Sequence, residues 1–380
     1  MMRLGDICTI VSGSTPKSNI PEYWDGDVKW ITPAELNEGT YIINDSVRHI
    51  TELGVVKTGL KPFPKGTVIL SSRAPIGKTA IAGCEMYCNQ GFKNLICSDK
   101  INPRYLYWFL TCNTEYLNSL GRGATFKEIS KEIVANIEIP LPAIEQQISV
   151  AEKFEKISDL IALRKEQLAK LDQLVKSRFI ELFGDCQKQT NIKESGLTIS
   201  DGNYSSKYPR SEEFVERGIP FIRANNLKNG TIVDEDMYFI TPQKHAILLK
   251  GHLKPNDVLI TTRGNIGQVA IVPNEHNDSN INAQIVLLRD DNNRFVPLYL
   301  LWALQTEEAK SQYIELQTGT ALKQLPVGRL EQVVIKEPPI ELQKRFAAFV
   351  KQTDKSKLAI QQSLDKLETL KKSLMQEYFG

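Results

Sequence analysis

Two arginines occupy matching places in this 380-residue chain. Arg73 stands in Ser72-Arg73-Ala74-Pro75-Ile76-Gly77, and Arg263 in Thr262-Arg263-Gly264-Asn265-Ile266-Gly267. Each follows a strand-like run (67–72 and 257–262) and precedes a glycine that can turn the chain into a second one. A planar guanidinium at such a strand end can fork onto a guanine edge or bridge phosphates. It can equally pair with a local carboxylate. Lys78 and Gln268 stand just beyond the same turn, near Asn265. Asn89 and Gln90, with Lys93, answer Asn282 and Gln284; side-chain amides suit bidentate contact to adenine, although asparagine is also a routine turn residue.

The segment Asn203-Tyr204-Ser205-Ser206-Lys207-Tyr208-Pro209-Arg210 mixes cationic, amide, hydroxyl and aromatic groups, a combination suited to phosphate and base contacts. Its counterpart is Gly13-Ser14-Thr15-Pro16-Lys17-Ser18-Asn19. Gly121-Arg122-Gly123-Ala124-Thr125, followed by Lys127, and Gly319-Thr320-Ala321-Leu322-Lys323 can bring backbone amides close to a phosphate. Arg223 joins this DNA-contacting set. The tryptophans Trp24, Trp30, Trp108 and Trp302 are read as core rather than as ligand platforms.

Motifs for catalysis are missing. The chain holds no G-x4-G-K-[ST] phosphate loop, no H-E-x-x-H and no G-x-S-x-G. Asn102-Pro103-Arg104-Tyr105 is a poor match to an adenine-methylation loop and fits a helix start better. The four histidines, His49, His245, His252 and His276, are scattered along the chain, and no metal site is expected. Of the six cysteines only Cys84 and Cys88 are close, so reduced thiols are expected rather than zinc ligands. A net charge of +2 means that any basic footprint must be local. No apolar run is long enough for a membrane span, and the start lacks the apolar stretch of a signal peptide.

The elements that must position these residues are written twice, about 190–196 residues apart. Pro103-Arg104-Tyr105-Leu106-Tyr107-Trp108 matches Pro297-Leu298-Tyr299-Leu300-Leu301-Trp302. Pro142-Ala143-Ile144-Glu145-Gln146-Gln147 matches Pro338-Pro339-Ile340-Glu341-Leu342-Gln343, and Phe183-Gly184 matches Phe379-Gly380. The first part of each copy shows short strand-like runs broken by Gly, Pro and Asn, with helices beginning at Pro103 and Pro297. The second part is a long helix, roughly 143–183 and 339–379. Phe154, Ile161, Leu168, Val175 and Leu182 repeat every seven residues, with Ile157 and Leu171 between them. Ile360, Leu364, Leu367, Leu370 and Leu374 continue a similar seam from Phe346 and Val350. Stripes of this length predict that the two helices pair as an antiparallel coiled coil. The expected fold class is α/β (α+β): two similar mixed α/β domains joined by two long helices, with an internal pseudo-two-fold repeat. The expected segments are 1–141, 142–186, 187–337 and 338–380.

The chain resembles the specificity subunits of type I restriction-modification systems along essentially its whole length. The resemblance rests on Leu4-Gly5-Asp6, Gly13-Ser14-Thr15-Pro16, Tyr23-Trp24, Trp30-Ile31-Thr32-Pro33, Asn89-Gln90-Gly91 and Ile139-Pro140-Leu141-Pro142, in that order before a long helix. In the second copy it rests on Asp201-Gly202-Asn203-Tyr204, Tyr208-Pro209 and Gly218-Ile219-Pro220-Phe221-Ile222. The resemblance implies two target-recognition domains, each reading half of a bipartite, asymmetric site on double-stranded DNA, with the helices as spacer. It implies a non-catalytic, cytoplasmic prokaryotic subunit with no cofactor of its own. S-adenosylmethionine and ATP belong on partners: two modification subunits that methylate adenine, and restriction subunits that can join them. The second copy lacks the Leu-Gly-Asp and Trp-Ile-Thr-Pro versions of the first, which fits two different half-sites. Two alternatives stand beside this reading. A fused restriction-modification enzyme would need one of the missing motifs. A coiled-coil adaptor without a DNA role would leave the polar loops unexplained.

Overall fold

The computed structural model describes all residues except 38, 74, 124–126, 205–206 and 321. The chain divides into two compact units, Met1–Glu166 with Ile360–Gly380, and Gln167–Ala359. Each long helix therefore begins in one unit and ends in the other. Among the described residues no helix is long and apolar enough to cross a membrane.

Both units are built to one plan. In the first, a sheet runs Cys8–Val11, Asn94–Cys97, Val68–Leu70, Thr79–Ala82, with Ile42–Ile43 at its edge. In the second, the order is Thr198–Asp201, Ile285–Arg289, Val258–Thr261, Val269–Ile271. The central hairpins close on Gly77 (φ +94°) and Gly267 (φ +86°), in backbone that a side chain rarely adopts. A smaller sheet in each unit pairs Trp24–Ile31 with Tyr87–Cys88 in parallel, as Ile219–Ile222 pairs with Asn280–Ile281. Helices Pro103–Cys112 and Pro297–Ala303 start on proline as expected and bury Tyr105 and Tyr299 fully. Trp24, Trp30 and Trp108 are core residues, and Trp302 is half-buried.

The long helices span Ile144–Phe183 and Ile340–Phe379, 40 residues each. One buried glutamine fixes the start of each to its domain. Gln147 accepts from Asn102 N and donates to Lys100 O and Pro142 O. Gln343 accepts from Val296 N and donates to Arg294 O and Pro338 O. Both are 0 % exposed with these bonds made, as burial of an amide requires. Tyr105 and Tyr299 reinforce the joint through hydroxyl bonds to Pro140 O and Lys336 O.

Within each unit the helices run antiparallel. In the first, Phe154 stacks on Phe379, Lys371 Nζ donates to Ser158 Oγ, and Lys165 pairs with Glu368. In the second, Phe179 and Phe183 meet Phe346 edge-on, and Lys357 pairs with Asp172. Ile157, Val175 and Leu364 are buried; Ile161, Leu168, Leu171, Ile360, Leu367 and Leu374 are half-buried. Leu370 departs from the expected seam and is 46 % exposed. A stripe that has stepped three residues, from Leu364 to Leu367, must next step four to stay on one face, and that step lands on Lys371. The lysine fills the place with its stem and sets its ammonium 5.0 Å from the Trp108 ring centroid.

Candidate nucleic-acid interface

The corresponding strand ends of the two large sheets carry the arginine turns and the segments that pack against them. In the first unit, Ser72 N donates to Gly91 O and Ile129 N to Ser72 O, so the strand end before Arg73 lies between Gly91 and Ile129. Arg73 and Arg122 both bridge to Glu128 through the backbone. Thr15 Oγ1 donates to Gln90 Oε1 at 2.6 Å, and Ser14 O is held by Trp30 Nε1 at 3.0 Å. Lys78 Nζ reaches Pro33 O at 3.3 Å. Ser14, Thr15, Lys17, Gln90, Arg122 and Lys127 are exposed; Arg73, Lys78 and Asn89 are half-buried. The loop carbonyl of Lys17 is fixed by Trp24 Nε1.

The second unit repeats the arrangement with different chemistry. Thr262 N donates to Gln284 O, Leu325 N to Thr262 O, and Arg263 bridges to Gln324. The Arg263 guanidinium lies 4.9 Å from the centroid of Tyr204, whose hydroxyl donates to Ala283 O. Burial raises the Tyr204 phenol above its ordinary value, partly opposed by Arg263, so the hydroxyl stays protonated as that donor. Asn203 Nδ2 donates to Lys250 O at 3.1 Å. Asn265 and Gln268 flank the turn, where Thr261 Oγ1 ties Asn265 O and Gln268 N. Lys207, Arg210, Gln284 and Lys323 are exposed. Ser206 lies outside the described residues.

Several side chains are held differently from the sequence expectation. Lys93 is 8 % exposed and bonded to Glu128 (3.1 Å) and Ser72 Oγ (3.3 Å), so its charge is used internally. Asn89 Oδ1 accepts from Gly91 N, and Asn282, 4 % exposed, accepts from Gln284 N. Both amides cap turns in this way, and Gln284 rather than Asn282 faces outward. Arg223 stacks 3.4 Å from the Tyr238 centroid and donates to Asp236 O at 2.5 Å.

The pair the sequence reading passed over is Glu128 and Gln324. They follow Lys127 and Lys323 directly, so extending that repeat by one residue would have found them. They occupy one bridging position with different charge. The first interface carries a carboxylate that engages Lys93, and the second a neutral amide. Two otherwise matching surfaces therefore differ in local potential where an anionic backbone would approach.

Comparison with known proteins agrees with this architecture. A family profile described as "Type I restriction modification DNA specificity domain" matches residues 1–173 and 199–371, one match per copy. The specificity subunit of the MjaIX type I restriction enzyme from Methanocaldococcus jannaschii is 36 % identical over 256 residues, covering 61 % of this chain and 59 % of that relative. The MjaVIII specificity subunit from the same organism is 22 % identical over 395 residues, covering 99 % of this chain and 90 % of the relative. Among solved structures, a chain described for complex assembly and conformational transition of the type I R-M system matches with a TM-score of 0.67. That match has 19 % identity and covers 100 % of this chain and 96 % of the other. The S subunit of a type I restriction-modification system from M. genitalium shares the fold at a TM-score of 0.58 and 13 % identity, with 100 % and 95 % covered. With both copies matched over most of their length, the chain belongs to the type I restriction-modification DNA specificity family.

Proposed function

We propose that the chain is a two-headed reader of double-stranded DNA that recognises a bipartite, asymmetric target and carries no catalytic site. Each unit contributes one polar strand-end surface: Arg73, Lys78, Gln90, Arg122 and Lys127 in the first, and Tyr204, Arg263, Gln284 and Lys323 in the second. The observation that carries the reading is their recurrence at corresponding ends of sheets with the same strand order, with side chains that differ. Different surfaces read different half-sequences, and cationic groups beside exposed amides suit phosphate and base contacts together.

The partners in this reading are two modification subunits, which bind S-adenosylmethionine and methylate adenine, and restriction subunits, which use ATP. The chain acts in the cytoplasm of a prokaryote and directs those partners to the target. The long helices set the spacing between the half-sites. One added heptad in each helix lengthens it by about 10 Å, close to three base pairs. Methylome sequencing of a host carrying the lengthened subunit is expected to show a wider gap between unchanged half-sequences. A continuous target, or changed half-sequences at a constant gap, rejects the spacer role.

A further inference from the structure

We propose that His245, His252 and Asp278 form a binding site for one divalent first-row transition-metal ion. They are the one group of three potential metal ligands among the described residues, with their ligand atoms all within 4.8 Å of one another. His245 comes from the helix Pro242–Ile247, His252 from the following loop, and Asp278 from a turn whose backbone N donates to Leu253 O. Nothing in their sequence spacing brings them together; the fold does.

The hydrogen bonds orient both rings for ligation. His252 Nε2 lies 2.6 Å from Leu248 O, which can only accept, so Nε2 carries the proton and Nδ1 of the neutral ring presents a lone pair. That Nδ1 is 3.6 Å from Asp278 Oδ1. His245 Nδ1 bonds to Asn280 Oδ1, leaving Nε2 directed 3.3 Å from Asp278 Oδ2. Asn280 is fully buried and fixes the ring from behind. Lone pairs facing a carboxylate repel unless a cation lies among them. Imidazoles that give their outer N–H to an oxygen and turn the other nitrogen inward are the usual arrangement around a bound metal.

The spacing fits as well. Zinc–nitrogen and zinc–oxygen bonds of about 2.0–2.2 Å in a tetrahedron place ligand atoms about 3.3–3.6 Å apart. The nitrogen–oxygen separations are of this size, 3.3 Å from His245 to Oδ2 and 3.6 Å from His252 to Oδ1, so each imidazole faces one oxygen of a carboxylate that can ligate through either or both. Two imidazoles and one carboxylate suit zinc, cobalt or nickel rather than magnesium or calcium. Asp278 is 66 % exposed, which gives an ion a way in and leaves room for water to complete the shell. The ion would fasten the 245–252 segment to the 278–280 turn. Asn203 rests on that segment through Lys250 O.

The test uses the full chain after chelator treatment. Cobalt(II) titration followed by visible absorption, and zinc titration by calorimetry, are expected to show one ion per chain. His252→Ala and Asp278→Asn, at the partly exposed side of the site, are expected to weaken binding roughly 100-fold or more while far-UV circular dichroism is unchanged. Cys84→Ser, a thiol control in the other unit, is expected to bind normally. A chain that takes up no cobalt or zinc, leaving a proton as the cation of the cluster, overturns the proposal. So does uptake that is unaltered in both site variants.

Discussion

At the scale of single residues, the repeat separates side chains that face outward from those spent inside. Arg73 and Lys93 both looked like DNA contacts in the sequence, but Lys93 is buried against Glu128 while Arg73 stands at the turn beside it. Lys93→Met is expected to lower the melting temperature, because Glu128 loses its partner, and to leave target preference unchanged. Arg263→Ala is expected to cost about 1–3 kcal/mol at one base position of one half-site, if its guanidinium reads a base edge. Binding to a panel of single-base target variants, with the modification subunits present, distinguishes the two. Equal weakening on all sequences would make Arg263 a phosphate contact, and a shifted preference in Lys93→Met would contradict its internal role.

At the scale of elements, the joint between each domain and its long helix is a hydrogen-bonding problem solved twice. Gln343→Met retains the volume but strands Val296 N, Arg294 O and Pro338 O away from water. It is expected to cost roughly 2–4 kcal/mol, since each buried group loses a partner it cannot replace. Urea unfolding measures this, and an unchanged midpoint would mean that water takes over the three groups. Lys371 presents the opposite case. Burial lowers the pKa of its ammonium, so the folded chain disfavours the charged form. The resulting penalty is full below the lowered pKa and fades as pH rises through it toward the ordinary lysine range. Lys371→Met is therefore expected to raise the melting temperature at pH 7 by a few degrees, with the gain shrinking as the pH is raised toward the ordinary lysine range. A lower melting temperature at pH 7 would show that the ring contact to Trp108 and the bond to Ser158 outweigh desolvation.

At the scale of the whole molecule, two units with one strand order and different surface chemistry make recognition modular. Exchanging residues 187–337 for the corresponding segment of another specificity subunit is expected to replace one half of the target and leave the other intact. Methylome sequencing of a host carrying the exchange reads the outcome directly. If both halves change together, the units do not read independently. The proposed metal ion bears on one side only, since all three of its ligands lie in the second unit.

The sequence by itself determined the duplication, both long helices to within a residue or so of their ends, and the proline-started helices that pack beneath the sheets. These follow from periodicity and from residues whose backbone preferences are local: a seam repeating every seven residues, proline in a first helical turn, glycine at a left-handed turn. It also marked the arginine turn and the loops around it, because the two copies could be read against each other. Tertiary structure alone decided what each polar side chain does. Lys93 turned inward because Glu128, far along the chain, needed a partner, while Asn89 and Asn282 cap turns two residues on, a local role that the sequence left open beside base contact. Lys371 displaced Leu370 from the seam because the stripe on a helix alternates steps of three and four, and only the packed partner shows which step falls where. His245 and His252 looked scattered, and Asp278 drew no notice, because the grouping of ligand atoms depends on distances in space, to which sequence separation is no guide.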